Sequence, residues 1–213
     1  MEDKKKIAII DYGVGNLYSI ARAFEYFEAE VIITEDAEVF DQADGLVLPG
    51  VGSFAAGMRG LEIRSLTKKV KAIAKKNKPI LGICLGAQIM LTKGYEFGTF
   101  KGLDIIKGQV GHFPKLENKE KVPHVGWNTI FSPKESSWQG TILDPADKNN
   151  QFYFVHSYIL EPELKENILA LTTYGGKTFC SAIKKGNIYG CQFHPEKSGQ
   201  AGLNIIKNFI KIL

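Results

Sequence analysis

Over the first ninety residues the apolar positions follow two rhythms. Apolar runs, KIAIIDYG at 6–13, EVIIT at 30–34, GLVLPG at 45–50 and PILGIC at 79–84, have the length and β-branched content of strands buried on both faces. Between them, in NLYSIARAFEYFEA at 16–29 and over most of Ser53 to Lys76, apolar residues return every three or four positions, which predicts helices. Strand and helix in alternation imply a parallel sheet with crossover helices. From about Tyr95 the rhythm changes. The runs GLDIIKG, KVPHVGWNTI, QFYFVHSYIL, NILALTTYGG, KTFCSAIKKG and NIYGCQFHP, set apart by Gly, Pro and Asn, predict antiparallel or mixed strands, and AGLNIIKNFIKIL closes the chain as a helix. No repeat, low-complexity tract or linker divides the pattern. The expectation is one α/β domain over 1–213: a mostly parallel or mixed central sheet flanked by helices, with additional antiparallel strands in the C-terminal half.

Composition narrows the function classes. Of the 213 residues 44% are hydrophobic and 23% charged, ordinary values for a globular chain. The net charge of +4 comes from dispersed basic residues with no stripe to track phosphates, so nucleic acid is not an expected partner. KKK at 4–6 precedes only IAII, too short for a signal core or a membrane span, and a cytoplasmic location is expected. Three cysteines, Cys84, Cys180 and Cys191, are too few and too irregular for a disulfide framework. Cys191 and His194 have C-x-x-H spacing without a second pair, so no metal is expected. Cys180 and Cys191 sit in strand-like runs and read as packing residues.

Cys84 stands apart. It lies between Gly82 and Gly86 where a strand turns into a helix, the pattern G-x-S-x-G of a nucleophile elbow with sulfur in place of oxygen. The backbone N–H of Leu85, at the start of that helix, can meet a developing oxyanion. In QFHPEKS, residues 192–198, Glu196 follows His194 by two, so in an extended segment its carboxylate reaches the imidazole and fixes the tautomer. A third element, LPGVGSF at 48–54, ends another strand in a glycine-rich turn. Gly50 and Gly52 let the backbone approach a bound group, and the Val51 amide can supply the second oxyanion donor.

The ordered set DYGVGN, LPGVGSF, GICLGAQ, PHVGWN, YFVHSY and QFHPEKSG resembles the class I (triad) glutamine amidotransferases over nearly the whole chain. Within them it resembles the glutaminase subunits of imidazole glycerol phosphate synthases of histidine biosynthesis. The resemblance implies hydrolysis of glutamine through a Cys84 thioester with Cys84, His194 and Glu196 as the triad. It further implies glutamine held at Gly52, Gln88, Ser157 and Tyr158, no cofactor, and a heterodimer with a (β/α)8 cyclase subunit that receives the ammonia. Positions matching the contact face and ammonia passage are Asn16, Pro123, His124, Gly126, Trp127, Asn128 and Lys197. Each has a plainer reading, Trp127 as core, Asn16 as a helix N-cap and Lys197 as a solvated charge. The chain departs from the family pattern at Ala87 and in LTKGYEFGTF, residues 91–100, neither of which is expected to touch the chemistry.

Four alternatives stay open on the sequence. Paralogous subunits serve other ammonia-using synthases, such as those of amidino sugars. A docking subunit without catalysis would keep the same fold, and a Cys hydrolase for another amide would keep the same triad. A dinucleotide site at GVGNLY, residues 13–18, lacks its third glycine, replaced by Tyr18.

Overall fold

In β1 (Lys6–Ile10) four consecutive apolar residues are all buried, because the strand is covered on both faces. Odd and even positions part company there. Ile7 and Ile9 join one hydrophobic cluster, Ala8 and Ile10 a second on the other side of the sheet. The computed structural model of the chain describes residues 4–117, 120–133, 138–145 and 149–213.

After β1 come α1 (Leu17–Glu25), β2 (Glu30–Thr34), α2 (Val39–Gln42), β3 (Gly45–Leu48), α3 (Phe54–Ile63), α4 (Leu66–Lys75), β4 (Ile80–Ile83) and α5 (Leu85–Ile89). Short strands β5 (Lys93–Gly94) and β6 (Phe100–Lys101) lead to β7 (Gly108–His112), β8 (His124–Thr129), β9 (Gln151–His156), β10 (Tyr158–Pro162), β11 (Ile168–Tyr174), β12 (Lys177–Lys185), β13 (Ile188–Cys191) and the closing helix α6 (Gly199–Ile212). The large sheet has the order β2-β1-β3-β4-β13-β12-β10-β7-β5-β6, with β11 paired to β12. The strands from β2 to β13 in that order are parallel; β12, β10 and β7 then pair antiparallel. This is the mixed α/β sheet expected from the pattern. Two details differ. GLDIIKG is a bend that buries Ile105 and Ile106, and the strand begins at its last residue, Gly108. β8 and β9 leave the large sheet and pair only with each other.

Helices α1 and α6 cover one face through Ile20, Phe24, Ile205, Ile206 and Phe209, with the Phe24 and Phe209 rings edge to face at 6.1 Å. Helices α3, α4 and α5 cover the other through Phe54, Met58, Leu61, Val70, Ile73 and Ile89. Nine residues of α1 are too few for a helix stable alone, so its form depends on this packing. Cutting Phe209 to Ala would cost about 3–5 kcal/mol. No helix among the described residues is long and apolar enough to cross a membrane.

Candidate active site

β4 runs into α5 at Cys84, whose φ of 52° and ψ of −108° are unusual for a residue with a Cβ. The surroundings enforce that conformation. The Cys84 N–H donates to the Cys191 carbonyl at 2.7 Å, and α5 starts so close to β3 that a Cβ on Gly86 would overlap the Leu48 carbonyl. The thiol therefore stands at the carboxyl end of β4. Its Sγ is 3.8 Å from Gln192 Nε2 and 3.9 Å from the Val155 carbonyl oxygen.

β13 is the neighbouring parallel strand, with Cys191 opposite Ile83, so His194 emerges three residues later beside the elbow. The sequence suggests an extended segment there. Instead Pro195–Lys197 make one 3-10 turn, started by the proline. That turn still brings Glu196 Oε1 to 2.8 Å from His194 Nδ1, with side chains only 1% and 2% exposed. Backbone bonds lock the loop to β9: the His194 N–H donates to the Tyr153 carbonyl at 2.9 Å. Ser198 Oγ donates to the His194 carbonyl at 2.6 Å and accepts the Tyr153 N–H at 3.0 Å.

With Nδ1 directed to the carboxylate, Nε2 is free to exchange a proton, and it has no hydrogen-bond partner among the described residues. Burial pushes the imidazole pKa down, but the neighbouring Cys84 sulfur and the Glu196 carboxylate outweigh it and raise it to about 9. A buried imidazolium is thus stabilised between two groups able to carry negative charge.

Val51, Gly52, Gln88, Ser157 and Tyr158 line one cavity of about 320 Å³ together with Cys84. Gly52 holds φ at 120° in the turn. Gly50, expected to approach a ligand, is buried against α5, where a Cβ would come within 2.6 Å of the Leu85 Cβ; its smallness serves packing. The Leu85 side chain is likewise buried, leaving its backbone N–H in the first turn of α5 as the relevant group. Gln88 Nε2 donates to Gln192 Oε1 at 3.1 Å and to the Tyr158 carbonyl at 3.4 Å.

Glu96 corrects the reading of LTKGYEFGTF as remote from the chemistry, since it lines the same cavity. It accepts the Phe54 N–H at 2.6 Å and, after burial, is the second cause that pushes the Tyr158 phenol pKa up. A lone carboxylate in a loop gives no spacing signal. Tyr12 was missed too: its buried phenol donates to the Pro49 carbonyl, bracing the PGVG turn, and burial followed by the nearby Cys84 raises its pKa.

On β8 the side chains alternate. Val125 and Trp127 face outward, Trp127 54% exposed and edge-on to Tyr153 at 6.1 Å, so Trp127 is not core. His124, expected on the contact face, points inward and is 2% exposed; the period-2 pleat puts it on the opposite face from Trp127. Asn128, on that inner face, donates to the Thr173 carbonyl at 3.0 Å. Gly126 is half-buried and Pro123 exposed at the cavity rim. Asn16 is exposed and caps α1, its Oδ1 accepting the Ser19 N–H at 3.4 Å. Lys197 is exposed. Cys180 and Cys191 are buried, and burial pushes both thiols up. Among the described residues no group of three or more His, Cys, Asp or Glu is placed to hold a metal ion.

An elbow thiol, a carboxylate-held imidazole beside it and a cavity into which the thiol opens are the parts of an acyl-transfer site. The chain belongs to the class-I glutamine amidotransferases: the model of that family, "Glutamine amidotransferase class-I", matches residues 8–213. Among curated relatives it is 47% identical over 210 residues to the imidazole glycerol phosphate synthase subunit HisH 1 of Legionella pneumophila strain Paris, covering 97% of this chain and 99% of that protein. It is 40% identical over 203 residues to the imidazole glycerol phosphate synthase subunit HisH of Chlorobaculum tepidum, covering 95% and 98%. PurLQS from Thermotoga maritima contains a chain with the same fold, at a TM-score of 0.73, 16% identity and 99% coverage of both chains.

Proposed function

We propose that the chain is the glutaminase subunit of an imidazole glycerol phosphate synthase in histidine biosynthesis. In this reading it acts in the cytoplasm as one domain over 1–213, without a cofactor, and passes ammonia to a (β/α)8 cyclase partner. The observation that carries the chemistry is the placement of Cys84 and His194 at the carboxyl ends of adjacent parallel strands, with His194 Nδ1 2.8 Å from Glu196. Near full-length identity to HisH subunits supports the choice of acceptor.

The steps follow from the groups present. Cys84 Sγ bonds to the carboxamide carbon of glutamine while its proton passes to His194 Nε2, and the carbonyl π pair moves onto oxygen. The N–H groups of Val51 and Leu85 hold that oxyanion. Collapse breaks the C–N bond, and the proton on Nε2 goes to the departing nitrogen, which leaves as ammonia. Water then adds to the thioester, giving its proton to His194. The C–S bond breaks, glutamate leaves, and the proton returns to sulfur. Glu196 holds the imidazole and offsets its charge. Gly52, Gln88, Ser157 and Tyr158 cradle the glutamine, and the Glu96 carboxylate faces its α-ammonium.

Free ammonia in neutral water becomes ammonium and loses its lone pair, so delivery must be enclosed. The exposed Trp127 on β8, with Asn16, Pro123 and Lys197, supplies the surface for the cyclase subunit. Measuring glutamate release by the chain alone, with the cyclase, and with the cyclase and its nucleotide ligand tests the reading. The rate should be low alone and rise by about tenfold or more in the loaded complex. A fast, partner-independent rate, or none with glutamine under any condition, would contradict it.

A further inference from the structure

Two buried histidines, one on each strand of the β8–β9 pair, are left over by this mechanism. His124 lies opposite His156 in the register, and His124 Nδ1 is 3.1 Å from His156 Nε2. His156 Nδ1 is 2.8 Å from the Tyr158 carbonyl oxygen, and Asn128 Nδ2 is 3.4 Å from His124 Nε2.

The proton positions follow without choice. A carbonyl only accepts, so His156 Nδ1 carries a proton; in a neutral ring its Nε2 then accepts, which requires the His124 proton on Nδ1. His124 Nε2 is left as an acceptor for Asn128, whose other amide proton goes to the Thr173 carbonyl. At the far end the Tyr158 carbonyl also accepts Gln88 Nε2 at 3.4 Å, and Gln88 reaches Gln192, whose Nε2 is 3.8 Å from Cys84 Sγ. Hydrogen bonds thus connect β8 to the nucleophile, donated in one direction from Asn128 as far as the Tyr158 carbonyl, which also accepts from Gln88 on the other side.

We propose that His124 and His156 are positioning residues, a one-directional relay that fixes the Tyr158 carbonyl and Gln88 in the glutamine cradle and so ties the strand carrying Trp127 to substrate affinity. The inference rests on the glutaminase reading and adds a part to its site. Its chemistry requires both rings neutral, because a charged His156 would turn Nε2 from acceptor to donor against the His124 proton. Burial supplies that, drawing the pKa values down to about 4 for His124 and about 3 for His156. The rings are packed by Phe113, Phe154 and Phe179, and the titratable groups facing them are Tyr174, stacked on His124 at 4.0 Å, and His194.

Amide isosteres separate positioning from bulk. His156→Asn puts its amide where Nδ1 was and keeps the bond to Tyr158; His156→Gln puts it where Nε2 was and loses that bond. In the cyclase complex, His156→Gln should raise the KM for glutamine about tenfold with kcat within about threefold, while His156→Asn, which keeps the Tyr158 bond and loses only the acceptor for the His124 proton, should raise KM about threefold, as much as His124→Phe. His124→Phe, which keeps the stack, should raise KM, and His124→Asn, which keeps the donor, should restore it. Equal behaviour of each Asn variant and its partner substitution would overturn the relay.

A second measurement needs no variant. Ring-nitrogen NMR of the wild-type chain should find both histidines protonated at Nδ1 and bare at Nε2. An Nε2–H tautomer at either ring would overturn the proposal even if the variants fail to fold. Should the wild-type complex leave glutamine untouched, the functional reading falls, whereas the tautomers still decide the relay.

Discussion

The parallel half of the sheet and the β8–β9 pair hold different shares of the site by different means. Cys84 and His194 follow the ends of β4 and β13, central strands buried on both faces and bonded backbone to backbone, as in the 2.7 Å link from Cys84 to Cys191. Among the described residues β8 and β9 have only each other as ladder partners; the Tyr153 backbone, bonded to His194 and Ser198, and the Asn128 and His156 side chains join them to the remainder, and the outer face leaves Val125 and Trp127 in solvent. The reacting atoms thus sit at the ends of strands laddered on both sides, and the substrate cradle meets a pair in which each strand has one ladder partner. A displacement of β9 would therefore reach both the cradle, through His156, and the triad, through the Tyr153 link to His194.

Breaking the rigid half should have the largest effect. Cys84→Ser is expected to lower glutamate release in the complex by about 10⁴-fold or more while leaving the cyclase reaction with added ammonia intact; stopped assays with both nitrogen sources check this. Glu196→Gln, next in size, should cost about 10³-fold in kcat. It should also change stability against pH. Since the folded His194 pKa is raised to about 9 from 6.5, the native chain keeps a proton that the unfolded chain gives up. The stabilisation, up to about 3 kcal/mol, is full below the unfolded pKa and lost as pH rises through the folded one. Urea melts at pH 6 and pH 10 should show that loss in the parent and a smaller one in Glu196→Gln.

The β8–β9 pair should respond in binding before chemistry. Trp127→Ala is expected to weaken the cyclase complex by about 2 kcal/mol, roughly thirtyfold in Kd, with the isolated chain's Tm little changed; calorimetry of the complex decides. Asn16→Ala should give the smallest effect, about 0.5–1 kcal/mol of stability from the lost cap of α1. A fall in complex affinity larger than that would bear out the place of Asn16 in the interface, and an unchanged affinity would leave it as a cap alone.

The rigid half was also the half legible in the sequence. Runs such as KIAIIDYG, EVIIT and GLVLPG announce their strands, which end a few residues earlier at Ile10 and Leu48 in the first and third, and G-I-C-L-G states its own geometry, because small residues are needed wherever a strand turns sharply into a helix. Glu96 and Tyr12 gave no such signal. They reach the cavity only through crossovers that bring distant loops to one edge, and no local spacing records that. His124 was misplaced because a motif names residues in a row, whereas a pleated strand sends them to opposite faces. GLDIIKG misled for a related cause: an apolar run buried in a bend looks like one buried in a strand.

The different surroundings of the three buried thiols have a practical corollary. Cys180 and Cys191 are sealed in the sheet with their acidity suppressed, whereas Cys84 opens into the cavity. An electrophilic glutamine analogue should therefore modify the native protein at a single site, and the mass of the adduct would count functional centres directly.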